Sequence, residues 1–257
     1  MIITSILIAE LTLTGGFGNF TNQTSQRLVS DPAVGISDVE EKDYAWGDLD
    51  LDGDIDLVCV RKEPFTSTGK NINVLFMNEG GNLVDRTAEY ATATDVAGDN
   101  GFLTATNDRD VVLHDLDSDG WLDMITVTTL TDNSTKALSH PRIYMNLGEV
   151  DGIWQGFRFE NDRIPQMHNT AGPRFCSLAV GDISGDGHPD LYFGDYDSGG
   201  TQIFDYNNRL LINDGNAFFT DESTERLASE MLESAFGAAS QMIDMNSDGV
   251  LDIVKQT

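Results

Sequence analysis

Asp48-Leu49-Asp50-Leu51-Asp52-Gly53-Asp54-Ile55-Asp56 is the stretch that decides how this chain is read. It sets a carboxylate at every second position, with a glycine at position 6 and a closing aspartate at position 9. The pattern returns as Asp115-Leu116-Asp117-Ser118-Asp119-Gly120-Trp121-Leu122-Asp123 and as Asp182-Ile183-Ser184-Gly185-Asp186-Gly187-His188-Pro189-Asp190. The fourth copy is Asp244-Met245-Asn246-Ser247-Asp248-Gly249-Val250-Leu251-Asp252. The first aspartates lie 67, 67 and 62 residues apart. A fixed period of this size marks a repeat architecture.

Oxygen donors at positions 1, 3 and 5 followed by a glycine describe a calcium loop. Calcium is a hard ion that takes roughly six to eight oxygens, and the glycine supplies the sharp turn. The donors expected are Asp48, Asp50, Asp52 and Asp56; Asp115, Asp117, Asp119 and Asp123; Asp182, Ser184, Asp186 and Asp190; Asp244, Asn246, Asp248 and Asp252. The backbone carbonyl of position 7 (Asp54, Trp121, His188, Val250) is the expected additional ligand. An EF-hand needs a glutamate at position 12. That position holds Cys59, Thr126, Phe193 and Lys255, so the EF-hand reading fails in every copy. Ser184 and Asn246 are neutral donors, which makes the last two loops the weaker pair.

A single Asp/Gly-rich loop is equally readable as a metal-free surface turn. Four copies, each with the ninth carboxylate, argue otherwise, because so many like charges repel at this range without a cation. Short β-branched and aromatic runs flank each loop, such as Val111-Val112-Leu113 before and Leu57-Val58-Cys59-Val60 after. They read as strands. Each copy is therefore a hairpin whose turn is shaped by an ion.

A second pattern follows the first. Leu13-Thr14-Gly15-Gly16-Phe17-Gly18-Asn19-Phe20-Thr21-Asn22-Gln23-Thr24 matches residues 76–87 without a gap, and Ile212 to Ser223 with a one-residue slip. Its shared form is a strand, an Asn/Gly turn, then an apolar residue two before Asp or Asn and four before Thr or Ser. An Asn/Gly turn between apolar runs signals a hairpin. Two hairpins give four antiparallel strands per repeat, which is one propeller blade. The expected fold is all-β, a propeller with about four blades present. A half blade is expected over 1–24, blades over 44–90, 111–163 and 175–226, and another half blade over 240–257. Residues 91–110 connect the first two blades. The 149–156 turn is long, and apolar spacing over 225–236 predicts one or two short helical turns.

DxDxDGxxD between strands at this period resembles the FG-GAP/VCBS repeat of integrin α-subunit propellers and of many bacterial secreted proteins. The Asn-Gly-Phe-Asp-Thr half resembles blades of bacterial and cartilage-acidic-protein-like members. The resemblance covers essentially the whole chain. It implies up to four calcium ions, and a non-enzymatic recognition or adhesion module that presents loops on one face to a protein or glycan. It also implies a ring that usually has seven blades. The two half blades then either pair to close a small ring or belong to a piece of a larger one. A closed ring would bring the strands of residues 240–255 beside those of residues 2–24. A piece would associate through open blade edges. The stop directly after a strand favours the piece.

The chain of 257 residues carries a formal charge of −28. Four divalent ions would leave it strongly acidic, which argues against nucleic acid or an anionic membrane as partner; a saline habitat is an alternative cause. Residues 1–10 lack the basic start of a signal peptide and read as a strand. Cys59 and Cys176 fall in different repeats and are expected to be buried free thiols. Millimolar extracellular calcium suits loops of this kind, so a secreted or cell-surface location is expected. Asn19, Asn22 and Asn133 begin glycosylation sequons. The runner-up readings are an enzyme acting on polysaccharides and a structural spacer. The enzyme reading is thin, because His114, His140, His168 and His188 form no catalytic constellation. The loop at 194–200, with Tyr196, reads as an ordinary solvated loop.

Overall fold

Three sheets, each built on four antiparallel strands and the first two extended to five by a short parallel strand, follow one another along the chain, and a two-stranded hairpin comes after them. The computed structural model describes residues 21–30, 38–130, 134–167, 174–196, 207–233 and 239–256. The strand expected over 1–10 and most of the half unit over 1–24 lie outside them. The first sheet holds β1 (Glu41–Gly47), β2 (Asp56–Lys62), β3 (Val74–Glu79) and β4 (Asn82–Asp85). The second holds β5 (Asp108–His114), β6 (Asp123–Thr128), β7 (Arg142–Asn146) and β8 (Phe157–Phe159). The third holds β9 (Phe175–Gly181), β10 (Asp190–Asp195), β11 (Arg209–Asn213) and β12 (Phe219–Asp221). The hairpin is β13 (Ser240–Ile243) with β14 (Asp252–Lys255). The same register closes every Asp-rich loop: Gly47 opposite Asp56, His114 opposite Asp123, Gly181 opposite Asp190 and Ile243 opposite Asp252.

The second strand of each sheet is covered on both faces, which is why its sequence reads as an apolar run rather than an alternation. In β2, Val58 and Val60 face the second sheet, while Leu57 and Cys59 pack with Val74, Phe76, Leu83 and Leu28. The core thus lies between sheets. One layer joins Val58, Leu75 and Met77 to Phe102, Tyr144 and Phe157. The next joins Ile125, Val127 and Ile143 to Phe175, Leu191 and Phe193. Ala179 and Tyr192 continue the stack toward Met242 and Ile253 of the hairpin. The first strands of successive sheets are neighbours: Asp43 accepts a hydrogen bond from the Val111 backbone N–H at 3.3 Å, and Asp110 one from Leu178 at 2.8 Å. Cys59 and Cys176 are buried, and neither is in a disulfide.

The outer edges differ from the sequence reading. Leu28–Val29 pairs in parallel with Leu83–Val84 of β4, and Ala93–Thr94 with Arg158–Phe159 of β8. Each two-residue strand comes from the chain before its sheet and covers an edge that would otherwise offer unpaired backbone groups. Two residues carry no periodicity, so these strands were illegible in the sequence. The stretch 91–110 is accordingly more than a connection; it also holds a 3-10 turn at Gly101–Leu103. The helical spacing over 225–236 resolves into short helices at Ser223–Arg226 and Ser229–Leu232.

The Asp-x-Thr/Ser step after β4 and β12 fastens the outer strand to its neighbour. Asp85 accepts from the Thr87 N–H at 3.0 Å and hydroxyl at 2.7 Å, and that hydroxyl accepts from the Leu75 N–H at 2.9 Å. Asp221, Ser223 and Leu210 repeat the arrangement. Thr87→Ala leaves the buried Leu75 N–H without its acceptor and is expected to cost about 1–3 kcal/mol in a urea-unfolding titration. An unchanged unfolding midpoint would show that water or the chain replaces the hydroxyl.

Candidate metal centre

Each Asp-rich loop is built by the same backbone path. Position 4 is left-handed in all four copies, with φ of +58° at Leu51, +62° at Ser118, +79° at Gly185 and +63° at Ser247. The glycine at position 6 follows with φ between +86° and +95°. The position 1 carboxylate reaches across the loop and accepts from the N–H of that glycine, at 3.1 Å for Asp48, 3.0 Å for Asp115, 2.9 Å for Asp182 and 2.8 Å for Asp244. The position 5 carboxylate accepts from the N–H of position 7, at 2.8 Å for Asp52 and 2.9 Å for Asp119, Asp186 and Asp248. These bonds turn the loop inward and leave the remaining oxygens facing one another.

Asp56, Asp123, Asp190 and Asp252 do more than the sequence reading assigned to them. One oxygen of each accepts from the N–H of position 2, at 3.0 Å for Leu49, 3.0 Å for Leu116, 3.1 Å for Ile183 and 3.0 Å for Met245. In the first three, the other oxygen accepts from an asparagine N–H at the end of the third strand: Asn78 at 2.8 Å, Asn146 at 2.8 Å and Asn213 at 3.0 Å. The ninth carboxylate is therefore a brace between loop and sheet, a role beyond the donor expected of it. The asparagines were legible only as turn residues. Their nearly constant spacing of 22, 23 and 23 residues after the ninth aspartate was the available signal.

Ligand atoms of Asp48, Asp50 and Asp56 lie within 4.8 Å of one another, and those of Asp115, Asp117 and Asp123 do the same. Among the described residues these are the acidic or histidine triads that converge so closely. One oxygen of Asp48 and one of Asp117 are buried without a hydrogen-bond partner. Buried, unpartnered carboxylate oxygens facing other carboxylates fit a hard cation. Asp52 and Asp119 sit outside the triads and cap position 7. In the third and fourth loops a neutral residue replaces the position 3 carboxylate; the Ser184 hydroxyl donates to Asp182 at 3.4 Å, and Asn246 accepts from the Asp248 N–H at 2.9 Å.

The electrostatics agree. Burial pushes the Asp56 carboxyl up to about 6, against the pull of its bonds from Asn78 and Leu49. It pushes Asp123 up to about 7, against the bonds from Asn146 and Leu116. Asp50 and Asp117 are raised too, by burial and by their neighbouring aspartates. In the exposed fourth loop, Asp244 is lowered by its bond from Gly249. The first two loops concentrate anionic charge that water does not relieve.

The described histidines, His114, His140 and His188, lie in separate local settings. His140 is buried, beside the Ser139 hydroxyl at 3.1 Å, and its Nε2 accepts from the Met167 N–H at 3.2 Å. His114 lies 3.1 Å from the Asp115 carbonyl. His188 packs on Gly215, where any Cβ would come within 2.7 Å of the ring. His168 lies outside the described residues.

The loops are unequal, with one carboxylate more in each of the first two. More ligand charge gives tighter binding. Calorimetric calcium titrations should show a larger loss of tight binding for Asp52→Ala than for Asp248→Ala. Equal losses would contradict the ranking.

The family model for the FG-GAP-like repeat matches residues 115–193 and again residues 182–254, together more than half of the sequence. No curated protein matches the chain.

Proposed function

Since this chain belongs to the FG-GAP-like repeat family, we propose that it is a calcium-loaded β-propeller module that recognises a protein or glycan outside the cell. Three sheets built on four antiparallel strands, with adjacent first strands and cores between them, suit three blades, and the β13–β14 hairpin suits the inner half of another. The observation that carries the reading is the repeated loop, with its converging carboxylates and orphaned oxygens. Up to four calcium ions would be held by the donors at positions 1, 3, 5 and 9, together with the position 7 carbonyl. The ions stabilise turns between core strands and leave the opposite ends of those strands for recognition.

At that opposite end the Glu41–Lys62 pair closes β1 and β2. There a cavity of about 410 Å³ is lined by Lys62, Phe65, Arg109, Arg174 and Tyr196 among others. Phe65 is 98% exposed. Arg109 and Arg174 each lie 5.5 Å from the centre of the Tyr196 ring. Exposed aromatic and guanidinium groups in an acidic protein suit recognition of a sugar or a peptide. A neighbouring cavity of about 420 Å³ contains the acids Asp43 and Asp110, the feature that most favours an enzyme. Both acids accept backbone bonds from the next sheet, which suits a clamp better than an acid/base pair.

No described helix is long and apolar enough to cross a membrane. Millimolar calcium outside cells matches loops of this type. The test is a glycan and extracellular-protein binding panel in calcium. A ligand whose binding falls with Phe65→Ala or Arg109→Ala supports the module. Calcium binding with no ligand in the panel would favour the structural spacer.

A further inference from the structure

Asn146 and Asn213 each touch two loops. The Asn146 backbone N–H donates to Asp123 of its own loop at 2.8 Å, and its Nδ2 donates to the Leu122 carbonyl there at 3.2 Å. The same Nδ2 donates to the Leu49 carbonyl, inside the preceding loop, at 2.9 Å. Its Oδ1 accepts from the Gly148 N–H at 3.0 Å and the Trp154 indole at 2.8 Å. Asn213 repeats the loop contacts one sheet later, with its Oδ1 accepting from the Gly215 N–H at 2.9 Å and, in place of an indole, from the Ala217 N–H at 3.1 Å. It donates to Asp190 at 3.0 Å, to the Pro189 carbonyl at 3.0 Å and, across the sheets, to the Leu116 carbonyl at 2.9 Å. Both asparagines are buried. With donors and acceptor all engaged, each amide has one orientation.

The far end of each bond is equally constrained. Leu49 and Leu116 are fully buried, and their N–H groups are held by the ninth carboxylate of their own loop. The carbonyl that Asn146 holds belongs to the peptide joining Leu49 to Asp50, a residue of the first triad. A continuous path therefore runs from Asp123 through Asn146 and the Leu49 peptide to Asp50, and from Leu49 back to Asp56. Asn78, in the first sheet, makes the bonds to its own loop, to Asp56 at 2.8 Å and to the Ile55 carbonyl at 3.1 Å.

On the cation reading above, we infer that Asn146 and Asn213 couple neighbouring loops, so that filling one loop raises the affinity of the loop before it. An ion that draws Asp123 into place fixes Asn146, and Asn146 fixes the backbone between Asp48 and Asp50. The entropy of ordering the preceding loop is then partly settled before its ion arrives. Linkage makes the effect reciprocal. Because each asparagine spans a single interface, coupling passes between adjacent loops and decays with each sheet, as in other stacked repeats.

The test is a calcium titration of the full chain followed by amide hydrogen exchange, with protection read separately over residues 48–56, 115–123 and 182–190. Asp119→Ala disables the second loop. It is expected to lower the affinity of the first loop about tenfold, within the usual range of coupling between sites. In an Asn146→Ser background the first loop starts weaker, and Asp119→Ala changes it no further. Should Asn146→Ser fail to fold, Asp186→Ala with and without Asn213→Ser asks the same question of the second and third loops. A first-loop affinity that ignores the state of the second overturns the coupling while leaving calcium binding intact. Absence of calcium-induced protection in every wild-type loop would instead overturn the cation reading itself.

Discussion

Withdrawing calcium is expected to lower the melting midpoint of this protein by roughly 10–20 °C. An ion that binds the native state alone adds about 2.7 kcal/mol when present at a hundred times its dissociation constant. The first two loops, with their converging triads, would contribute about 5 kcal/mol between them on that basis. A chain of this size shifts by roughly 2–4 °C per kcal/mol. The effect is large because the loops join core strands. Loss of the ion leaves Asp48, Asp50 and Asp56, and Asp115, Asp117 and Asp123, repelling one another at the ends of the largely buried β2 and the buried β6. Scanning calorimetry in excess calcium and in excess chelator, at matched ionic strength, measures the difference. Coincident melts would remove the cation from the account of the fold.

The calcium-free protein should grow more stable on acidification from pH 8.5 to 5.5, the reverse of ordinary acid unfolding. Burial raises Asp56 to about 6 and Asp123 to about 7. Burial, with Asp43 beside it, raises Asp110 to about 8. A carboxyl raised in the native state binds its proton more tightly there than in the unfolded chain. Stability from that source is fully present below the unfolded value near 4 and is lost as pH rises through the native value. The three groups share this sign, so the loss accumulates between about pH 4 and 8. For the Asp110 site it is on the order of 2–3 kcal/mol, with allowance for partial solvent access. Bound calcium cancels the part due to Asp56 and Asp123, because it favours their ionised forms. The Asp110 part survives calcium and should disappear in Asp110→Asn. Denaturant unfolding across this pH range, with and without calcium, checks both. A chelated protein that loses stability on acidification would show that these acids are already ionised in the fold.

The Asp-rich loops were legible because their chemistry is local. Nine consecutive residues carry both the carboxylates and the turn, and the closing register at Asp56, Asp123, Asp190 and Asp252 follows from that spacing. The four-strand repeat was legible because two hairpin turns recur at a constant distance. What escaped the sequence is contact between repeats. Nothing near Asn146 announces that its amide will meet Leu49, 97 residues earlier. Leu51 and Ser118 show no outward sign of a left-handed backbone, since the loop imposes it. The Asp43 and Asp110 clamps each sit among other charged residues at the start of a strand, and their meaning depends on which strand lies alongside.

The parallel two-residue strands have a consequence for assembly. Leu28–Val29 and Ala93–Thr94 each precede in the chain the sheet whose outer edge they cover. During synthesis from the N-terminus, the cover for a sheet has therefore emerged before the sheet does. A newly formed β4 or β8 meets a waiting strand and need not expose a bare edge to another chain. At the other end of each sheet the order is reversed: the first two loops receive a second asparagine contact, at the Leu49 and Leu116 carbonyls, from the sheet that follows. Growth is thus polar, with a protected trailing edge and a leading loop that matures one sheet later, so crowding during translation threatens the newest loop rather than the oldest edge.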